Sequence, residues 1–316
     1  MIETRLTKLL GIKYPIVQGA LCYCSEDPQF VASVCNAGGL GIIATAMIGE
    51  EENREVIRKV RDLTDKPFGA NLLRTHHYDR ILDVMVEEKV PVFCHGKSDP
   101  IKAILRSKEI DSLSIPTIGA VSHAVEAKKN GADALLVTGA EGGGHTSYVG
   151  TMVLIPAVIK ATDIPVAVGG GISIPSQCAA ALLMGADGII MGTRFMATQE
   201  SPLHPRAIEK LLASTENDTY ATHHVTGYHQ RWIQTDFFRE KLVGLPHEKP
   251  KQPLGLWPWI GKGAVEGLIE EGMLGGGQGV GLIDDVPLMD DLMEWLMTET
   301  EAILKKAPDL VSHELT

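Results

Sequence analysis

Along most of the chain, short runs of consecutive apolar residues alternate with longer stretches in which apolar positions recur every three or four residues. The short runs are PIVQG (15–19), GLGIIAT (39–45), PFGANLL (67–73), VPVFCHG (90–96), IPTIGAV (115–121), ALLVTG (134–139), IPVAVGG (164–170) and GIIMGTR (188–194). A half-exposed strand alternates polar and apolar residues, so continuous hydrophobicity means that both faces are covered, as in a parallel sheet wrapped by helices. The longer stretches supply the helices. EEENREVIRKVRDL (50–63) puts Val56, Ile57, Val60 and Leu63 on one face, and DRILDVMVEEKV (79–90) does the same with Ile81, Leu82, Met85 and Val86.

The eight runs begin about 20 to 30 residues apart, the length of one strand plus one helix. That spacing predicts an α/β protein of the (β/α)8 TIM-barrel type, with a doubly wound sheet as the main competing architecture. An internal echo supports the barrel: GADALLVTG (131–139) and GADGIIMGT (185–193) share a frame 54 residues apart, which is two βα units.

After the eighth run the pattern changes. Residues 204–283 contain His223, His224, His229, Trp232, Trp257 and Trp259, and the glycine-rich GMLGGGQGVGLI (272–283). This is too long for a simple loop and reads as a mostly helical cap or lid near the barrel mouth. VPLMDDLMEWLMTETEAILKK (286–306) reads as a closing amphipathic helix with Leu288, Leu292, Trp295 and Leu296 packed into the core. The expected organisation is therefore a barrel made of 1–203 and 284–316, with 204–283 as the cap.

Composition narrows the partners. With 29 basic against 40 acidic residues, a net charge of −11, the 316-residue chain lacks the basic surface that nucleic acid or an anionic membrane demands, which leaves a small-molecule substrate. The five cysteines (Cys22, Cys24, Cys35, Cys94, Cys178) are odd in number and scattered, with no zinc-site spacing, so no metal is expected. The N-terminus has no signal-type apolar core, and no apolar run is long enough to cross a bilayer; a cytoplasmic protein is expected. A homodimer is allowed by the sequence and not read from it.

The chemistry concentrates at the predicted strand ends, where a barrel carries its active site. GAEGGGHTS (139–147) follows the sixth strand: Gly142, Gly143 and Gly144 clear side chains from the backbone so that a flat ligand can approach, and His145 stands next to them. The seventh and eighth strands end in Gly169, Gly170 and Gly171 and in Gly192 and Thr193, whose backbone N–H groups suit a phosphate; either loop alone could be no more than a tight turn. A bulky acidic residue at Gly170 should then expel the phosphate from an otherwise intact barrel. No dinucleotide fingerprint follows the first strand and no P-loop occurs, so a mononucleotide fits better. Gln18 and Gly19 end the first strand, and Asn71 places an amide in an otherwise apolar third strand, which is costly unless the amide has a partner.

With these residues in hand, the chain resembles the nitronate monooxygenase family, formerly 2-nitropropane dioxygenases, which includes flavin-dependent enoyl-ACP reductases and NADH:quinone reductases. The likeness runs nearly end to end through TKLLGIKYPIVQGA, NAGGLGIIA, LTDKPFGANLL, AEGGGH, VAVGGGI, GADGIIMGTRF, SPLHP and GGGQGVGLI. It implies a barrel with FMN at its mouth, the ring over Gln18, Gly19 and Ala20, contacts from Asn71, from the 142–144 glycines and from Gln278, and the phosphate at 169–171 and 192–193. His145 matches the family's histidine beside the ring. Three departures bear on substrate: Thr138 stands where relatives often have an acidic residue, CHGKS (94–98) replaces a TTGAG-like strand end, and GALCYCS replaces a loop with Gly-Met and tryptophan. Cys22 and His95 are therefore candidate pocket residues, and His76, His77 and Cys24 are further ones whose ordinary role would be packing or surface.

The activity implied is oxidation of an alkyl nitronate by FMN and O2 to a carbonyl compound and nitrite. There His145 hydrogen-bonds the nitro oxygens or acts as base, and its titration near neutrality should appear in the pH profile. The alternative is NAD(P)H-dependent reduction of an enoyl thioester or quinone through the flavin, and a weaker one is a non-catalytic flavin-binding protein.

Overall fold

The computed structural model describes residues 2–74, 77–97 and 100–310. Eight parallel strands form the barrel: β1 (Ile16–Gln18), β2 (Ile42–Ala44), β3 (Gly69–Leu73), β4 (Val92–Gly96), β5 (Leu113–Ile118), β6 (Leu135–Thr138), β8 (Val166–Gly169) and β9 (Gly188–Met191), while the short β7 (Gly144–His145) lies outside it. The order β1-β9-β8-β6-β5-β4-β3-β2 is that of a chain winding in one direction. The ring closes between β1 and β2 through a parallel bridge of Val17 with Leu40, in which Gln18 N donates to Leu40 O at 2.9 Å and Leu40 N to Ile16 O at 2.9 Å. Apolar residues fill the interior and the layer beneath the helices, as continuous hydrophobicity required.

Each apolar run holds a strand, with one shift. β5 begins at Leu113 rather than Ile115, because the serines ahead of the run are satisfied inside the sheet: Ser112 Oγ donates to Val90 O at 2.7 Å and Ser114 N donates to Asp133 Oδ2 at 2.7 Å. The same contacts explain the internal echo. Gly131 and Gly185 turn the chain at φ 93° and 98°, and Asp133 and Asp187 then accept from the N–H of a residue at the start of the preceding barrel strand, Ser114 and Val166. The repeated Gly-Ala-Asp is a device for joining strands.

The predicted helices form at Glu50–Leu63 and Tyr78–Glu87, and the closing helix at Met289–Lys306 packs on Pro175–Leu183 and Pro28–Asn36. Its buried stripe is Met289, Leu292, Met293, Leu296 and Met297. Leu288 and Trp295, expected in the core, are instead 46% and 43% exposed, because the methionines already occupy the inward face. No helix among the described residues is long and apolar enough to cross a membrane.

Beyond β9 the chain forms helices Pro205–Leu212, Asp236–Leu242 and Trp257–Ala264, together with an antiparallel sheet that the pattern did not foresee: β10 (Thr219–Thr222), β11 (Gln230–Ile233) and β12 (Leu274–Gly275). β7 pairs with β11 in this second sheet, with Gln230 opposite His145 and Arg231 opposite Gly144. The loop after β6 is thereby fastened to the cap, and the cap sits over the C-terminal ends of the barrel strands.

Candidate active site

Between barrel and cap lies a cavity of about 850 Å³, near the upper end of the range usual for ligand sites. Three glycine-rich segments, 142–144, 169–171 and 275–277, meet on its wall. Two of them touch backbone to backbone: a Cβ on Gly143 would lie 2.7 Å from Gly276 C, and one on Gly277 would lie 2.6 Å from Glu141 O. Gly143 therefore serves first to let the returning C-terminal segment in. Gly277 N donates to Thr193 Oγ1 at 2.9 Å and Gln278 N to Glu141 O at 2.9 Å, locking the segment in place.

The loops after β8 and β9 retain unused donors. Gly170, Gly171 and Gly192 line the cavity, and their N–H groups make no hydrogen bond among the described residues. Donors left unpaired at the wall of a cavity call for an anionic ligand or water. Asn71 also lines the cavity, and its side-chain amide has no partner among the described residues.

The other candidates divide. Gly19, Ala20, Cys22, His95 and Thr138 are on the wall. Gln18 is not: it is fully buried, its Oε1 accepts from Ile42 N at 3.0 Å and its Nε2 donates to Ser25 Oγ at 2.8 Å, so the side chain serves barrel closure. The side chain of Gln278 is likewise off the wall. Burial pushes the Cys22 thiol up to about 12, so it is no nucleophile at neutral pH, and Cys24 is buried behind it. His95 is buried, with Nε2 3.0 Å from Ser114 Oγ. His77 precedes helix Tyr78–Glu87 and is off the wall, and His76 lies outside the described residues. Among the described residues no group of acidic, histidine and cysteine side chains is arranged to hold a metal.

His145 is on the wall, but its chemistry differs from the expectation of titration near neutrality. Gln230 Nε2 lies 2.9 Å from His145 Nε2, and Gln230 Oε1 accepts from Thr226 Oγ1 at 2.8 Å. With its oxygen committed to Thr226, the amide presents N–H to the imidazole, which must then accept at Nε2 and carry its proton on Nδ1. Burial, assisted by nearby Lys97, lowers the His145 pKa to about 3, so the ring is neutral at every physiological pH.

Residues not singled out from sequence complete the lip. Lys97 Nζ lies 4.1 Å from the centroid of the Tyr228 ring and Lys249 Nζ lies 5.4 Å from the same centroid. Crowding by the cavity walls, then repulsion by Lys249, lowers the Lys97 pKa to about 7. Gln230, set between His229 and Arg231, carries no signal in the sequence comparable to that of Asn71. Nothing local in sequence brings Lys97 and Lys249 together.

A glycine-walled cavity at the C-terminal face of a (β/α)8 barrel, with a neutral histidine held over it, defines an enzyme with a small-molecule site at the barrel mouth. A family model for nitronate monooxygenase matches residues 3–299, and the chain belongs to that family; it is an oxidoreductase. It is 35% identical to a Rhodococcus jostii protein named (3aS,4S,5R,7aS)-5-hydroxy-7a-methyl-1-oxo-octahydro-1H-indene-4-carboxyl-CoA dehydrogenase, over 94% of this chain and 96% of that one. FabK from Thermotoga maritima superposes with a TM-score of 0.91 at 34% identity, covering 98% of this chain and 100% of the other. Nitroalkane oxidase from Streptomyces ansochromogenes gives a TM-score of 0.85 at 28% identity, covering 96% and 100%.

Proposed function

We propose that this chain is an FMN-dependent oxidoreductase whose substrate is an acyl thioester of the coenzyme A type. The observation that carries the reading is the size and lining of the cavity: its wall joins His145 to apolar cap residues such as Trp257 and Ile260 and to two cations, Lys97 and Lys249. A small nitroalkane needs neither the apolar extension nor a second cation, whereas a bulky acyl group with an anionic tail uses both. The similarity to a carboxyl-CoA dehydrogenase across nearly the whole chain supports the same choice.

The unpaired N–H groups of Gly170, Gly171 and Gly192 fit the FMN phosphate, and the Asn71 amide together with Gly19 and Ala20 fits the edge and face of the ring. When bound, FMN supplies two-electron transfer. The chain's own residues orient the substrate and manage charge. His145 offers its Nδ1–H to an oxygen on which negative charge develops, while Nε2 is held by Gln230, so the residue acts as a donor rather than as a base. The cap excludes water from the apolar end.

A second reading, nitronate oxidation with O2 to a carbonyl compound and nitrite, is favoured by the family match and by Lys97 beside His145, a cation where a nitronate would place its charge. Anaerobic mixing of the flavin-loaded protein with acyl-CoA substrates, NAD(P)H and an alkyl nitronate separates the two. Bleaching by saturated or hydroxylated acyl-CoA, or bleaching by NAD(P)H reversed by an enoyl-CoA, is the expected result. Bleaching by nitronate alone, with nitrite released when oxygen is admitted, sinks the thioester reading.

A further inference from the structure

The rim of the cavity carries positive charge that the fold itself does not use. Lys97 and Lys249 converge on one ring, Tyr228, at 4.1 and 5.4 Å from its centroid. Among the described residues neither ammonium is paired with a carboxylate, although the chain has 40 acidic residues to 29 basic. Like charges held close to each other cost free energy unless an anion joins them. Lys97 also holds a left-handed backbone at φ 51°, which is uncommon for a residue with a side chain.

Next to the two cations stands an aromatic group with an open face. Tyr148 is 73% exposed and stacks on His229 at a centroid distance of 4.4 Å and an interplanar angle of 22°; both residues line the cavity mouth. A planar π surface adjacent to paired ammonium groups is the arrangement that takes a nucleobase together with its phosphates.

We propose that the rim is a subsite for an adenosine diphosphate moiety, in which Lys97 and Lys249 bind the phosphates and the Tyr148–His229 stack packs against the base. This chemistry is shared by the tail of a coenzyme A thioester and by a nicotinamide dinucleotide. The assignment to coenzyme A rests on the proposed thioester activity; the subsite itself does not.

The test uses the flavin-loaded protein and three probes, coenzyme A, ADP-ribose and phosphate-free pantetheine, with dissociation constants measured calorimetrically at two salt concentrations. The wild type should bind at least one phosphate-bearing probe in a salt-dependent manner. Lys97→Met/Lys249→Met should weaken that binding by about ten- to a hundredfold and flatten its salt dependence, with flavin content unchanged. Lys249→Arg, which keeps the charge, should recover most of the loss of Lys249→Met. Loss confined to coenzyme A identifies the thioester tail as the occupant; loss confined to ADP-ribose supports the subsite and removes the thioester reading. If the double variant binds coenzyme A and ADP-ribose as the wild type does, the subsite is overturned, and acyl-CoA turnover with an unchanged KM in that variant would leave the thioester activity standing without it.

Discussion

Gln230 reaches His145 across the seam between cap and barrel: the two are opposite each other in the β7–β11 pairing, and the amide nitrogen lies 2.9 Å from His145 Nε2. Because Thr226 holds the other end of the amide, the direction of this hydrogen bond is set, and with it the tautomer of the histidine. The residue expected to do chemistry is thus aimed by the cap.

His145→Ala should retain FMN and lose about a hundredfold in turnover, the effect of one donor to developing charge, roughly 3 kcal/mol. Gln230→Leu should retain FMN and lose about tenfold, since an unaimed ring still visits the productive tautomer. Gln230→Glu should raise the pKa of His145 by placing a carboxylate beside it and should create an activity titration that the wild type lacks. Single-turnover flavin reduction across pH reads all three; normal rates in His145→Ala would make the histidine structural.

The pH dependence should belong to Lys97. With its pKa lowered to about 7 by burial and by Lys249, the ammonium loses its charge as pH rises through that value, so kcat/KM for an anionic substrate should fall above about pH 7. His145, neutral above about pH 3, contributes no limb near neutrality. The limb should vanish in Lys97→Met and persist, at reduced rate, in His145→Ala. The opposite pattern would restore a titrating histidine.

Heat-released flavin should be FMN, identified by chromatography, because the unpaired N–H groups of Gly170, Gly171 and Gly192 suit a single phosphate group. Gly170→Glu is a poor probe of that site despite its appeal from sequence. Gly170 has φ 113°, and a Cβ there would lie 2.5 Å from Thr151 Oγ1, so the turn itself would be disrupted. At Gly192 a Cβ meets only Leu21 Cδ2, at 3.1 Å, and φ is −124°. Gly192→Asp should therefore leave circular dichroism unchanged and abolish flavin absorbance, while Gly192→Ser should keep it. Full flavin content in Gly192→Asp would remove that loop from the phosphate site.

Gln18→Leu should destabilise the barrel by about 1–3 kcal/mol, because Ile42 N–H would be left buried without an acceptor. Denaturant unfolding and flavin content, measured together, distinguish roles. A lowered midpoint with normal flavin identifies a closure residue, and normal stability with lost flavin would return Gln18 to the cofactor.

The fold was legible because its cause is local. Strands covered on both faces must be continuously apolar, as β2, β8 and β9 are, and helices lying on them must carry one apolar face, so period and spacing point to a parallel sheet wrapped by helices, and the closure of β1 on β2 decides for the barrel over a doubly wound sheet. Glycines at 142–144 and 169–171 mark the mouth for the same reason, since only glycine permits those approaches and turns. The polar choices were decided by tertiary structure. An amide in a strand reads the same in sequence whether it faces a cavity, as Asn71 does, or completes the sheet, as Gln18 does. The tautomer of His145 depends on Gln230, 85 positions away in the chain, and the charge of Lys97 on Lys249, 152 positions away (249 − 97). Hydrogen-bond direction and pKa are set by whatever the folded chain brings within a few ångströms, and periodicity carries no record of that.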